Sequence, residues 1–351
     1  MGDDEPGRAA NGRAPTIRDV ARAAGVSVGT ASKALNGRGQ LRTETRARVR
    51  AEAERLRFRP NDLIRSMQRG RTYTVGLLTG DREGRFSLPL VMGVEDALGE
   101  AEILVFFCNT RGDPERERRE MESLLAKQVD GLIVMGWRSN LRPPIAVPDA
   151  RVPVVYAYSR VADPAALCLL PDQAHGARLA TERLLAAGRR RLAHITGPTD
   201  YEAVWERWEA MAAVLAEHGL GLPEERVLCG VWEEGWGYAA TGTLLDRDPA
   251  VDGVFCGSDT IARGVLDALR DRGRRVPEDV AVVGFDNWEI LARFARPPLT
   301  TIDMNLHDLG REAARRLLAM VGGAREAGVV LLPCRLVARA SCGVAGDETV
   351  H

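Results

Sequence analysis

The chain holds 351 residues, and its 48 lysines and arginines nearly balance 49 aspartates and glutamates, for a net charge of −1. The balance is a cancellation: residues 1–71 carry 16 basic against 8 acidic side chains, while the remaining 280 carry 32 against 41. A basic module on an acidic body is the electrostatic footprint of a phosphate-binding head joined to a part that should not adhere to nucleic acid, and the lack of any apolar run long enough to span a bilayer excludes a transmembrane reading.

Residues 1–15, rich in Gly, Asp, Ala and Arg, read as a disordered tail. Thr16, with Asp19 three positions on, fits a capping box that opens a short helix running to about Ala24. Gly25 ends that helix. Ser27 then suits the N-cap of a second helix, with Val26 and Ala31 placed as a weak hydrophobic staple. A third helix is predicted from about Thr43 to Arg57, where Val49, Ala53 and Leu56 recur at the spacing of one apolar face. Three short helices over a small common core make a helix-turn-helix domain across 16–59.

The run Asp19-Val-Ala, Ala-Gly-Val-Ser27, Thr30-Ala-Ser and Leu-Asn36, followed by Phe58-Arg-Pro-Asn61, resembles the lactose-repressor (LacI/GalR) family of bacterial transcription regulators, and the resemblance extends over nearly the whole chain. It implies an α/β protein: an N-terminal three-helix helix-turn-helix head plus a hinge helix, followed by a two-lobed, periplasmic-binding-protein-like effector domain with two parallel sheets. It further implies that the second helix enters the major groove, with Val28, Gly29 and Lys33 toward base edges and Ser27, Thr30, Ser32 and Asn36 toward phosphates or groove walls; Thr16 joins this DNA-binding set. Two positions depart from the family pattern. Gly29 has no side chain with which to read a base. Lys33 stands where the family has Arg, and a lysine lacks the planar fork that grips guanine. Direct readout should therefore be thin, with more of the specificity carried by DNA shape and by the hinge.

The hinge is expected over 60–71, where Pro60 fixes the start, Asn61 is an acceptable N-cap and Gly70 an acceptable stop. Such a short helix is marginal alone in water. The resemblance implies that it pairs with its twin from a second subunit in the minor groove, with Met67 as the wedge into a base step and Asn61 and Arg65 as polar contacts. Ile64 replaces a smaller family residue and bears on how closely the two hinge helices approach.

From Tyr73 the pattern changes to short apolar runs alternating with amphipathic stretches. Strands are predicted at Tyr73–Leu78, Ile103–Cys108, Gly131–Met135 and Val154–Tyr158, with helices near Leu90–Glu100 and Pro114–Lys127. The series then restarts, with strands at Leu192–Thr196, Val227–Gly230, Gly253–Cys256 and Val280–Phe285, and helices near Ala174–Ala187, Ala203–His218, Tyr238–Leu245 and Thr260–Arg270. Two βαβ series mean two parallel sheets covered by helices. Thr300–Ile302 and Val329–Leu332 read as return crossings, giving an N-lobe of about 72–160 and 299–321 and a C-lobe of about 161–298 and 322–345 within an effector-binding and dimerisation domain of 72–351.

A small molecule would bind between such lobes, at the carboxyl ends of the strands. Phe86, Ser87, Arg207, Trp232, Asp259 and Asp286 match the family's cleft positions, and Trp137, which also follows a strand, joins them without a firm family counterpart. Aromatic faces with two carboxylates and a guanidinium suit a polyhydroxylated ligand such as a sugar or nucleoside.

Enzymatic and metal readings find little support. His175, His194, His218, His307 and His351 lack metal-ligand spacing, and the six cysteines form no Cys-x-x-Cys. Gly235-Trp-Gly-Tyr-Ala-Ala240 matches a dinucleotide fingerprint in form only, since Trp-Glu-Glu precedes it rather than a strand. No cofactor, metal or catalytic residue is expected. The start lacks a signal segment, which points to the cytoplasm and reduced thiols. Resemblance and chemistry together imply a sequence-specific transcriptional regulator, a repressor in the family's usual mode and a homodimer or tetramer. It would bind a palindromic double-stranded DNA operator under the control of a sugar or nucleoside effector. The alternative is a solute-binding protein or enzyme on the same fold, with a basic head of other function.

Overall fold

A computed structural model describes residues 15–36, 39–58, 71–99, 101–147, 151–343 and 348–350, in two compact units that divide between Thr72 and Tyr73. In the first, α1 (Ile17–Ala23) opens where the Asp19 carboxylate accepts from the Thr16 N–H at 2.9 Å and the Thr16 hydroxyl at 2.7 Å. Gly25 reverses the chain at φ +64°, a left-handed conformation that lacks a steric penalty only without a Cβ. Ser27 then caps α2 (Val28–Leu35), its Oγ accepting from the Thr30 N–H at 3.1 Å. With α3 (Thr43–Arg55), these helices bury Val20, Ala21, Ala24, Ala31, Ala34, Val49 and Ala53, side chains small enough for short helices to meet closely. The expected hinge residues Asn61, Ile64, Arg65 and Met67 lie outside the described residues.

The second unit begins with β1 (Thr74–Thr79), α4 (Ser87–Gly99), β2 (Leu104–Asn109), α5 (Pro114–Ala126) and β3 (Gly131–Met135). There follow β4 (Leu141–Arg142), β5 (Val154–Ala157), β6 (Arg160–Val161) and β7 (Leu167–Pro171). The C-lobe series is α6 (Gln173–Ala186), β8 (Leu192–Thr196), α7 (Glu202–Glu217), β9 (Val227–Cys229), α8 (Glu234–Arg247), β10 (Gly253–Cys256), α9 (Asp259–Asp271), β11 (Ala281–Phe285), α10 (Glu289–Ala292) and β12 (Thr300–Asp303). Last come α11 (Leu306–Val321), β13 (Gly328–Leu332), β14 (Arg335–Ala338) and β15 (Glu348–Val350).

The N-lobe sheet runs β13-β7-β5-β3-β1-β2 and is parallel throughout. Its strands β3 and β7 are apolar at every position, because helices cover both faces. The C-lobe sheet runs β15-β14-β12-β11-β10-β8-β9. Five of its strands are parallel, but β14 and β15 turn back antiparallel at one edge, so this sheet is mixed where a parallel one was expected.

The lobe boundaries expected from sequence are corrected. Leu167–Pro171 is an N-lobe strand, Thr300–Asp303 pairs with β11 in the C-lobe, and Gly328–Leu332 pairs with β7 in the N-lobe. The two late strands therefore sit in the opposite lobes to those assigned. A short apolar run signals burial in a sheet but carries no mark of which sheet. The chain crosses between lobes after β7, after β12 and after β13, and α11 packs back on α4 of the N-lobe. Among the described residues no helix is long and apolar enough to cross a membrane.

Candidate functional site

A cavity of about 530 Å³ lies between the lobes, at the carboxyl ends of the strands. The loop after β1 supplies one wall and is tied by a single carboxylate. Asp81, buried, accepts from the N–H groups of Glu83 and Gly84 on Oδ1 and of Phe86 and Ser87 on Oδ2, all between 2.9 and 3.1 Å. This knot presents Arg85 and Phe86 to the cavity. Phe86 packs on Tyr158 with ring centroids 5.5 Å apart. The Arg85 guanidinium lies between the Phe86 and Trp288 rings, at 4.9 and 4.8 Å, and pairs with Asp286 of the facing lobe. Burial lowers its pKa, a pull that nearby carboxylates and Tyr158 oppose.

Asp286 itself sits on a contorted backbone: its φ is +108° and that of Asn287 is +48°. Such conformations cost roughly 1–3 kcal/mol each and persist only where the surroundings hold them. Here the Asp286 N–H donates to Ile302 O at 2.8 Å, and Asn287 Nδ2 donates to Asp303 at 3.1 Å. Asn287 Oδ1 accepts from Arg339 at 3.1 Å, and the Trp288 N–H donates to Asp259 at 2.6 Å. Asp259 is fully buried and also accepts from the Thr301 hydroxyl at 2.5 Å. Burial raises its carboxyl to about 7, against the opposing pull of those two hydrogen bonds and of Arg85 and Arg339.

Arg207 forms the floor. Its Nε and Nη2 donate to Gln173 Oε1 at 2.9 and 2.6 Å, its Nη1 donates to Gly257 O at 2.5 Å, and the guanidinium lies 3.5 Å over the Phe285 ring. Burial brings its pKa down to about 10, which still leaves it charged at neutral pH. The far wall is aromatic: Tyr201 meets Trp137 at 6.2 Å and Trp232 at 5.4 Å between centroids, both edge-on. Gly197 makes room for this wall, because a Cβ there would stand 2.2 Å from the Trp232 ring.

Of the side chains singled out in the sequence, Phe86, Trp137, Arg207, Trp232 and Asp286 line the cavity. Ser87 and Asp259 do not: Ser87 is buried at the start of α4 with its N–H on Asp81, and Asp259 lies behind the Asp286 loop as its support. Sequence reasoning missed Asp81, Arg85, Arg138, Ser139, Tyr158 and Tyr201, all of which line the cavity. Tyr158 follows β5, so the same post-strand rule that picked out Trp137 could have found it.

In the head, α2 turns Ser27, Val28, Gly29 and Lys33 to the solvent and keeps Ala31 and Ala34 inside. Thr30, Ser32 and Asn36 are half-buried, Asn36 donating to the Ser32 hydroxyl at 3.3 Å. Thr16 is engaged by Asp19 at the start of α1.

A helix-turn-helix head followed by a two-lobed sensor with a cavity at its strand ends defines a class, the DNA-binding regulator with an effector domain. The family model of bacterial regulatory proteins of the lacI family matches residues 16–61, and that of the periplasmic binding protein-like domain matches 181–342. The HTH-type transcriptional regulator CelR of Thermobifida fusca is 36% identical over 319 residues, covering 89% of this chain and 93% of the relative. The ribose operon repressor of Escherichia coli K12 is 35% identical over 300 residues, or 85% and 90% of the two chains. Among solved structures, a CelR–cellobiose complex superposes with a TM-score of 0.66 at 34% identity, covering 93% of this chain and 99% of the other. A lac repressor dimer bound to operator and the anti-inducer ONPF shares the fold, with a TM-score of 0.76 at 24% identity over 94% and 99%. The chain belongs to the lacI family of bacterial regulatory proteins, and is a DNA-binding transcriptional regulator with an effector-binding domain.

Proposed function

We propose that this regulator acts in the cytoplasm as a homodimeric repressor on a palindromic operator, and that its effector is a carbohydrate bound between the lobes. The observation that carries the reading is the composition of the cavity: aromatic faces from Phe86, Tyr158, Trp137, Tyr201 and Trp232 around the charged groups Arg85, Arg207 and Asp286. Rings stack on the apolar face of a sugar, and ionised groups bond its hydroxyls. The ribose and cellobiose named with the relatives support the same chemistry.

The mechanism is a population shift. The lobes are bridged at two edges of the cleft. At one, Arg85 pairs with Asp286 and its Nη1 donates to the Thr260 hydroxyl at 3.4 Å. At the other, Asn140 donates to Asp200 O at 2.6 Å, while Glu202 accepts from the Leu141 N–H at 3.0 Å and from Arg160 at 3.2 Å. A bound sugar competes with Arg85 for Asp286 and so alters the balance between open and closed lobes. In a dimer this changes the spacing of the hinge segments carrying Asn61, Arg65 and Met67, and with it operator affinity. A gel shift tests the reading. The full chain should bind one palindromic site far above random DNA, lose affinity steeply with salt, and respond to a sugar. Removal of residues 1–71 that left DNA binding intact would overturn it.

A further inference from the structure

The aromatic side chains of the cavity form two groups with no ring contact between them among the described residues. Phe86 and Tyr158 both belong to the N-lobe and lie on the side of Arg85 and Asp286. Trp137 comes from the N-lobe, after β3, and meets Tyr201 of the C-lobe, which in turn meets Trp232. The cavity thus offers two separate aromatic surfaces, each able to stack one sugar ring. Its volume of about 530 Å³ falls within the roughly 300–1,000 Å³ of sites that enclose drug-sized ligands.

The second wall also carries polar groups. The Arg138 guanidinium lies 4.6 Å from the centre of the Trp137 ring and 5.6 Å from that of Tyr201, within cation–π range of both. Ser139 lines the cavity, is 3% exposed, and its Oγ is buried without a hydrogen-bond partner. A buried hydroxyl left unpaired in this way is uncommon and calls for a polar partner. The hydroxyl of a ligand ring stacked on Trp137 would supply one.

We propose that Trp137, Tyr201 and Trp232, with Arg138 and Ser139, form a separate subsite for a second sugar ring, so that the effector is a two-ring glycoside rather than a monosaccharide. The inference rests on the carbohydrate reading given above. The first ring occupies the Phe86–Tyr158 side, anchored by Asp286 and Arg207. The second lies where Trp137 of one lobe meets Tyr201 of the other, so occupancy of this subsite bears directly on lobe closure.

Calorimetry on the full chain tests this with glucose, galactose, xylose, the β-1,4-, β-1,3-, β-1,6- and α-1,4-linked glucose dimers, the β-1,4 xylose dimer, and adenosine. At least one dimer should bind about tenfold or more tighter than its own monosaccharide, and Trp137→Ala should erase that margin. Ser139→Ala, which removes one hydroxyl and keeps the aromatic wall, should shrink the margin without erasing it. A panel in which no dimer outbinds its monosaccharide overturns the second subsite and leaves the carbohydrate reading standing. The subsite also falls if Trp137→Ala, melting like the parent, weakens dimer and monosaccharide by the same factor. Binding of adenosine alone, or of nothing in the panel, removes the carbohydrate reading and this inference together.

Discussion

Helix α2 of the head exposes a valine, a glycine and a lysine, whereas the cleft of the sensor surrounds one cavity with five aromatic rings and several charged groups. The head is built for fit. Its core of alanines and valines lets three short helices pack closely, and Lys33 is the one charged side chain of α2. The sensor holds several of its site groups with buried partners: Asp81 ties the Arg85–Phe86 loop, Asp259 the Asp286 loop, and Gln173 the Arg207 guanidinium. Recognition by few groups on a well-placed surface tolerates variation in its target, and recognition by many buried groups does not.

The largest effect expected is from Asp286→Ala or Trp232→Ala, which should abolish the response of operator binding to effector while operator is still bound. A gel shift titrated with effector checks this, and an unchanged dose response would remove both residues from the site. Next, Val49→Ala opens a void in the head's small core and should lower its stability by about 1–3 kcal/mol. Calorimetric melting should then show loss confined to the head, with effector affinity unaltered. If instead both regions lose together, the contrast between them breaks. Lys33→Ala should weaken binding to all DNA sequences alike and reduce the slope of log affinity against log salt by roughly 1. Lys33→Arg sharpens the same point: restoring the planar fork should add about 1–3 kcal/mol of preference for a guanine, seen by competition between operator variants.

The smallest effect expected is a pH trend. Asp259 holds its proton up to about 7 in the folded chain, while an ordinary aspartate releases it near 3.8. Between those values the folded state binds the proton and the unfolded state does not, so this group's contribution to stability falls as pH rises from about 4 to about 7. Asp259→Asn removes the titration. Its melting temperature should gain on that of the parent over this range, although Asn offers one acceptor oxygen where Asp259 offers two, to the Trp288 N–H and the Thr301 hydroxyl, which lowers it overall. Parallel melting curves at every pH would contradict the assignment.

Local chemistry was legible in the sequence. The Thr16–Asp19 start, the Gly25 turn and the Ser27 cap depend on residues within a few positions of one another, and the structure has all three. The strands were readable from apolar runs, the family resemblance marked Phe86, Arg207, Trp232 and Asp286, and a strand's end marked Trp137; all five line the cavity. What depends on the opposite lobe was not readable. Arg85 acquires its role from Asp286, some two hundred positions away, and Tyr201 from Trp137. Asp259 was misplaced because a carboxylate after a strand looks the same in sequence whether it faces the cavity or supports the loop behind it. The exchange of β12 and β13 between the lobes has the same origin, since hydrophobicity alone does not name a partner strand.

Two of the three crossings of the chain between the lobes, the first and the third, are fastened to each other. The Asp172 N–H, just beyond the first, donates to Leu332 O at the third across 2.8 Å, and Cys334 Sγ donates to Asp172 O at 3.1 Å. Linkers fastened together in this way form a pin rather than a tether: the lobes can rotate about it but resist sliding past each other. A pinned rotation is a lever. A small angular change at Asp172 becomes a much wider excursion at the rim of the cleft, where the Arg85–Asp286 pair and the Asn140–Asp200 bond join the lobes.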